Sequence, residues 1–386
     1  ILHEGKIIVS GTLEELKNNI ADIKSSRIPV STILISDAYQ SKIGDFSAID
    51  ETRFPGGMKA AADAIRDAGY QAGIWIAPFI AEKRSELYKN HPDWFLKKVM
   101  NLNVSGGYNP DWGSKFFVLD IYNDEVFLYI NDMFKTLMYE WGFEVIYVDY
   151  IYAAAIEARV DKTRAEISGD VSNFINKMCI GRTVIASGVP VPSAMGQYDH
   201  CRAGVDNAPF WEDNTMKRFG FKERVSTINA LNTLIARRYL NKKLFNSIST
   251  CFFIGSEDTH LTLLEKHTVL TLASILSSTI MISDVIKHYD DIELPLLKKI
   301  FPCPEITHIV HKETDNIHTF EFKKAGNSYL VVSNLNKAKK TYTLPKGIFC
   351  GKYGTLLPSN SELVLEAHQT QVLVKIDMRR QFQPIY

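Results

Sequence analysis

Val145-Ile146-Tyr147-Val148-Asp149 is a β-branched and aromatic run that closes on a carboxylate. A strand half open to water alternates apolar with polar residues. An unbroken apolar run of this length reads instead as a strand covered on both faces. Helical stretches flank it: one is expected from a cap at Asp124 as far as Trp141, the next over residues 161–178. Helix, covered strand, helix is the repeating unit of a parallel sheet.

Working outward, the unit recurs. Strands are expected at 6–10, 31–37, 72–79, 143–149, 183–186, 201–206, within 244–254, and at 279–283. Helices are expected from a capping box at Thr12 and Glu15 through about Ile23, then over 58–68, 262–276 and around 292–300. An insert between the third and fourth strands holds His91-Pro92-Asp93-Trp94, a Gly/Asn-rich turn near 101–110 and an extended piece at 116–120. Eight such units predict an α/β protein with a (β/α)8 TIM barrel over residues 1–302. From 303 to 386 short alternating segments separated by Gly, Asn, Lys and Pro predict a small C-terminal antiparallel β-sandwich domain.

Composition narrows the partner. Apolar residues make up 46% of the 386 and charged residues 23%, the balance of a globular protein with a substantial core. Lys plus Arg and Asp plus Glu both number 44, so no net field draws the chain to nucleic acid or an anionic membrane. A small neutral substrate fits better. The five cysteines are widely spaced with no CxxC, and the ten histidines are scattered, so no disulfide framework, metal site or cofactor is expected. A reducing cytoplasm is the expected location, and a homo-oligomer is compatible with this size. The first residue is Ile1, which leaves an upstream segment open.

Barrel chemistry sits where strands end at their C-terminal edge. Asp37, Trp75, Asp149 and Asp206 occupy such positions. Two carboxylates facing one cavity are what glycoside hydrolysis needs, one to attack the anomeric carbon and one to protonate the leaving oxygen. On position alone most strand-end aspartates cap a helix or turn instead. Trp94, Trp112 and Trp211 read as packing or loop anchors, His91, Asp45 and Asp120 as structural. Pleat alternation is expected to keep Tyr147 and Tyr150 off the face of Asp149.

Ordered blocks then carry a resemblance. Ile35-Ser36-Asp37-Ala38-Tyr39, Phe54-Pro55-Gly56-Gly57-Met58, Gly73-Ile74-Trp75-Ile76-Ala77-Pro78-Phe79, His91-Pro92-Asp93-Trp94, Tyr147-Val148-Asp149 and Arg202-Ala203-Gly204-Val205-Asp206-Asn207-Ala208-Pro209-Phe210-Trp211 together resemble glycoside hydrolase family 36, the microbial α-galactosidases or melibiases. The resemblance implies a retaining α-galactosidase acting on an α-galactoside or oligosaccharide. It implies Asp149 as nucleophile, Asp206 as general acid/base, Arg202 as a donor to sugar hydroxyls, Trp75 as a wall of the sugar pocket and Asp37 as an acceptor there. Two further substrate-binding positions differ from the family: where it carries a second aspartate this chain has Ser36, and where it carries a lysine two residues before the nucleophile this chain has Tyr147. Each lost charged hydrogen bond costs about 1.5–3 kcal/mol. A different glycon, transfer to another sugar, or a catalytically silent carbohydrate-binding barrel therefore stand as alternatives.

Overall fold

The computed structural model describes residues 12–376, apart from 110, 111, 203, 219, 221–224, 256, 258, 283, 301–305 and 307. Chain order begins with β1 (Thr32–Ile35) and β2 (Gln71–Ile76), which pair in parallel. Three short strands, β3 (Ile80–Glu82), β4 (Ser105–Asn109) and β5 (Ser114–Val118), form a separate antiparallel sheet. The parallel series resumes with β6 (Val145–Val148), β7 (Thr183–Ser187), β8 (His200–Arg202), β9 (Asn246–Phe252) and β10 (Thr279–Ile282).

Spatial order in this seven-stranded sheet is β1-β2-β6-β7-β8-β9-β10, which is also chain order. A doubly wound sheet reverses direction at a switch point; this one never does, and a sheet wound in one sense curls into a barrel. The eighth expected strand, residues 6–10, lies outside the described residues. Burial follows the pleat. Leu34, Trp75, Val145, Tyr147, Ile185, Ile248 and Met281 form one core on the inner face. Their sequence neighbours Ile33, Ile35, Ile74, Ile76, Ile146, Val148, Val184 and Ile282 pack outward among the helices in another.

The helices start where side chains can serve their free N–H groups. Thr12 with Glu15, Thr163 with Glu166 and Thr262 with Glu265 each form a complete capping box, opening helices Leu13–Ser26, Arg164–Met178 and Leu263–Leu276. Each is worth about 1 kcal/mol. Asp124 is not a cap, contrary to expectation. Asn123 fills that place, accepting from the Glu125 N–H at 2.9 Å, and helix Asp124–Lys135 passes into a π-helical turn at Thr136–Glu140 before Trp141.

The C-terminal part is antiparallel. Strands β11 (Ile309–Thr314), β12 (Ile317–Lys324), β13 (Asn327–Asn334), β14 (Lys340–Thr343), β15 (Phe349–Cys350), β16 (Leu356–Leu357), β17 (Glu362–Leu365) and β18 (Thr370–Lys375) follow in the chain. Six make a sheet of order β11-β12-β13-β18-β15-β16, and β14 pairs with β17. Ile317, Leu330, Val332, Leu344, Leu365 and Leu373 fill the space between the two sheets. The alternate residues Phe320, Phe322 and Val331 turn the other way and join the outer core of the barrel.

One polar feature of that sheet predicts a pH dependence. His311 Nε2 lies 3.0 Å from His318 Nδ1, and His318 Nε2 lies 3.2 Å from Asn316 Oδ1. Burial, with Arg238 and His318 nearby, pushes His311 down to about 4, and burial lowers His318 too. The fold therefore favours the neutral rings. That stability is fully present above the ordinary histidine range, about 6.5, and is lost as pH falls from there through about 4. Thermal melts from pH 7 to pH 4.5 should show the midpoint of the wild type falling on the order of a few degrees further than that of His311→Gln/His318→Gln.

Candidate active site

Strands β2 and β6 run in register, with Trp75 opposite Tyr147 and Ile76 opposite Val148. Asp149 is the first residue beyond β6, and its N–H still donates to the Ile76 carbonyl at 2.9 Å. Its carboxylate is thus delivered to the end of the sheet beside Trp75. The Trp75 indole N–H donates to Asp149 Oδ2 at 3.2 Å, and the Tyr150 backbone N–H donates to Oδ1 at 2.8 Å. Tyr150 adopts a left-handed φ of +54°, so the chain doubles back immediately after the carboxylate.

Arg202, the last residue of β8, joins the second carboxylate. Its Nη1 is hydrogen-bonded to Asp206 Oδ1, while Nη2 lies 4.0 Å from Asp149 Oδ2. One guanidinium therefore stands between both aspartates. Sequence reading put Asp206 on the end of its strand; the strand stops at Arg202 and Asp206 lies four residues on, in a loop. Its side chain is 43% exposed, against 11% for Asp149.

Tyr147 is fully buried, with its ring 6.0 Å beneath the Arg202 guanidinium carbon. It supports that arginine rather than opening on the cleft. The expectation that Tyr147 and Tyr150 stay off the face of Asp149 is overturned. Residues 147 and 149 are two apart and share a face, and the left-handed turn brings Tyr150 back onto Trp75, Trp112 and Phe116, with ring centroids 6.5, 5.4 and 5.3 Å away. Burial and the Asp149 charge raise the Tyr150 phenol well above its ordinary range, so it stays neutral.

Asp37 stands in the short turn after β1. Oδ1 accepts from Ser36 Oγ at 3.1 Å and Oδ2 from the Trp112 indole N–H at 2.8 Å. Trp112 in turn packs edge-on to Trp75 at 6.4 Å. The structure thus gathers all seven expected residues into one chain of contacts, with Trp75 only 3% exposed and Ser36 turned onto Asp37. Trp112, read from sequence as an anchor, belongs to this group. Trp94 does act as an anchor, its ring stacked on His91 at 3.9 Å and its N–H donating to Glu125 at 2.7 Å. Asp45 and Asp120 are structural, the first accepting from the Glu86 and Leu87 N–H groups, the second paired with Arg159.

What brings Trp112 here is the pair of glycines expected to form a turn. They lie in β4 instead. A methyl added at Gly106 would sit 2.6 Å from the Phe116 ring, and Gly107 holds a φ of +144°. Bare backbone lets Phe116 lie across β4, and Trp112 and Tyr150 pack on Phe116. Gly106→Ala should cost about 1–3 kcal/mol and displace Trp112. A lowered melting midpoint with a raised KM checks this; a raised KM without any loss of stability would not fit. Among the described residues no group of three His, Cys, Asp or Glu side chains is placed to hold a metal.

Residues 36–172 match the family model named Melibiase. An α-galactosidase of Escherichia coli is 27% identical over 135 residues, 33% of this chain and 17% of that enzyme. An A type blood α-D-galactosamine galactosaminidase of Flavonifractor plautii is 27% identical over 154 residues, 38% of this chain and 13% of that one. The chain thus aligns with less than a fifth of either relative. Among solved structures, the α-galactosidase of Thermus thermophilus in complex with p-nitrophenyl α-D-galactopyranoside superposes with a TM-score of 0.71 at 22% identity, over 85% of this chain and 64% of that one. A family 27 β-L-arabinopyranosidase of Geobacillus stearothermophilus superposes with a TM-score of 0.73 at 15% identity, over 97% and 95%. The chain therefore carries a Melibiase-matching segment within the TIM-barrel and β-domain fold of these glycosidases.

Proposed function

We propose that the chain is a retaining α-galactosidase, with Asp149 as nucleophile and Asp206 as acid/base. The observation that carries this reading is the Arg202 guanidinium lying against both carboxylates at the strand ends. Two N–H donors fix the rotamer of Asp149, which leaves it aimed rather than free to swing. In the first step an Asp149 oxygen bonds to the anomeric carbon from the β face as the bond to the leaving oxygen breaks, and Asp206 gives its proton to that oxygen. In the second, Asp206 takes a proton from water, whose oxygen attacks the anomeric carbon from the α face and releases Asp149. Two inversions restore the α configuration.

Within the fold we place the chain with family 36, on its ordered blocks from Ile35-Ser36-Asp37-Ala38-Tyr39 to Arg202–Trp211. Asp37, held by Ser36 and Trp112, is the acceptor for glycon hydroxyls, and the terminal sugar is galactose. The test is hydrolysis of 4-nitrophenyl α-galactoside followed by NMR of the first sugar released. α-Galactose appearing before mutarotation is expected. β-Galactose first would mean inversion. Binding without turnover across a panel of aryl α-glycosides would leave a silent carbohydrate-binding barrel.

A further inference from the structure

The loop beyond Asp206 is fastened at successive carbonyls. Thr227 Oγ1 lies 3.2 Å from the Ala208 carbonyl, and the Thr227 N–H donates to Phe210 O at 3.2 Å. The His260 N–H donates to Pro209 O at 2.8 Å and the Ile228 N–H to Trp211 O at 3.0 Å. All these partners come from the barrel. The side chain of Trp211 is closed from elsewhere. His368, in the turn between β17 and β18, stacks on it with centroids 4.2 Å apart and planes 18° from parallel.

His368 is itself tied down. Its Nδ1 donates to Glu265 Oε1 at 2.6 Å, and its carbonyl lies 2.7 Å from the Thr268 hydroxyl, both on helix Leu263–Leu276. Its φ of +58° is one that few residues adopt without surrounding support. A second turn of the C-terminal sheet reaches the same loop: Lys337 pairs with Glu212, and its Nζ donates to Asn214 Oδ1 at 3.3 Å. The antiparallel part of the chain thus grips residues 211–214 at two points, directly downstream of Asp206.

We propose that His368 is a positioning residue for Asp206, holding through Trp211 the loop that carries this carboxylate. The inference rests on the role of Asp206 proposed above. Proton delivery needs an approach of roughly 2.6–3.2 Å. Asp206, being 43% exposed, takes its place from Arg202 and from the backbone on either side. A displacement of about 1 Å can cost on the order of 100-fold in rate.

A purely structural clamp would slow all substrates alike, whereas one that positions the acid slows those that need a proton on the leaving oxygen. The test compares kcat/KM for methyl α-galactoside with that for 2,4-dinitrophenyl α-galactoside in the wild type, His368→Asn and His368→Tyr. Asparagine tolerates the left-handed backbone while removing the ring; tyrosine keeps a ring for Trp211. His368→Asn is expected to lose roughly 10-fold or more on the methyl glycoside and less than about twofold on the dinitrophenyl one, and His368→Tyr to recover most of that loss. Equal losses on both substrates, or none on the methyl glycoside, overturn the inference. If His368→Asn does not fold, Glu265→Gln, which loosens the Nδ1 link, carries the same comparison. A wild type that hydrolyses neither glycoside overturns the proposed function itself, and the positioning role with it. Wild-type turnover of both, with the clamp variants unaffected, overturns the positioning role alone.

Discussion

Asp149→Ala is expected to lower kcat for 4-nitrophenyl α-galactoside by about four to six orders of magnitude, the scale on which removing a covalent nucleophile acts. The substitution leaves the fold standing. Arg202 keeps its bond to Asp206, and the Trp75 and Tyr150 N–H groups each lose an acceptor, worth about 1 kcal/mol apiece. It also opens space on the β face of the anomeric carbon, where a small anion can take the place of the carboxylate. Added azide should therefore restore turnover and give β-galactosyl azide, a single inversion. Assay of the purified variant with and without azide, with NMR of the product, decides the matter. Recovery of α-galactosyl azide, or retention of more than about a hundredth of the wild-type rate, would remove Asp149 from the role of nucleophile.

Asp206→Ala is expected to behave differently in each half of the reaction. General acid assistance is worth about 10²- to 10⁴-fold. Substrates with poor leaving groups should lose that factor in kcat/KM, while a dinitrophenyl glycoside, whose leaving group departs unprotonated, should lose little. Hydrolysis of the glycosyl-enzyme then lacks its base, so the intermediate accumulates and the dinitrophenolate trace should show a burst. Azide needs no base. It should attack the intermediate from the α face and give α-galactosyl azide, the anomer opposite to that from Asp149→Ala. Measuring both azides in parallel separates the two carboxylates by stereochemistry alone. The same anomer from both variants would mean that the assignment of roles is wrong.

Much of this arrangement was legible in the sequence because it is local. The run from Val145 to Asp149 announces a covered strand with a carboxylate at its end, and Thr12 announces a helix three residues ahead of Glu15. What was not legible depends on distant partners. Gly106 and Gly107 look like a turn until Phe116, ten and nine residues further on, is seen lying across them. Trp112 looks like an anchor until its N–H is found on Asp37, 75 residues earlier. Alternation along a strand places Tyr147 correctly when counted in twos, but Tyr150 lies past the strand end, where its left-handed backbone suspends the count. The insertion of β18 between β13 and β15 likewise has no local signature, since β18 pairs with β13 across the intervening β14, β15, β16 and β17.

The stacking of His368 on Trp211 also has a consequence in time. Residue 368 is made about 160 residues after residue 211, which at roughly 5–20 residues per second is a delay of about 8–30 s on the ribosome. By the time β10 has been made the parallel strands can be complete and Asp149 in place, while the indole of Trp211 still waits for residue 368. Fluorescence from Trp211 in chains stalled at successive lengths would follow its passage out of solvent. On the role proposed for His368, the nascent protein takes on its shape first and its competence afterwards, when the turn at residue 368 closes on Trp211.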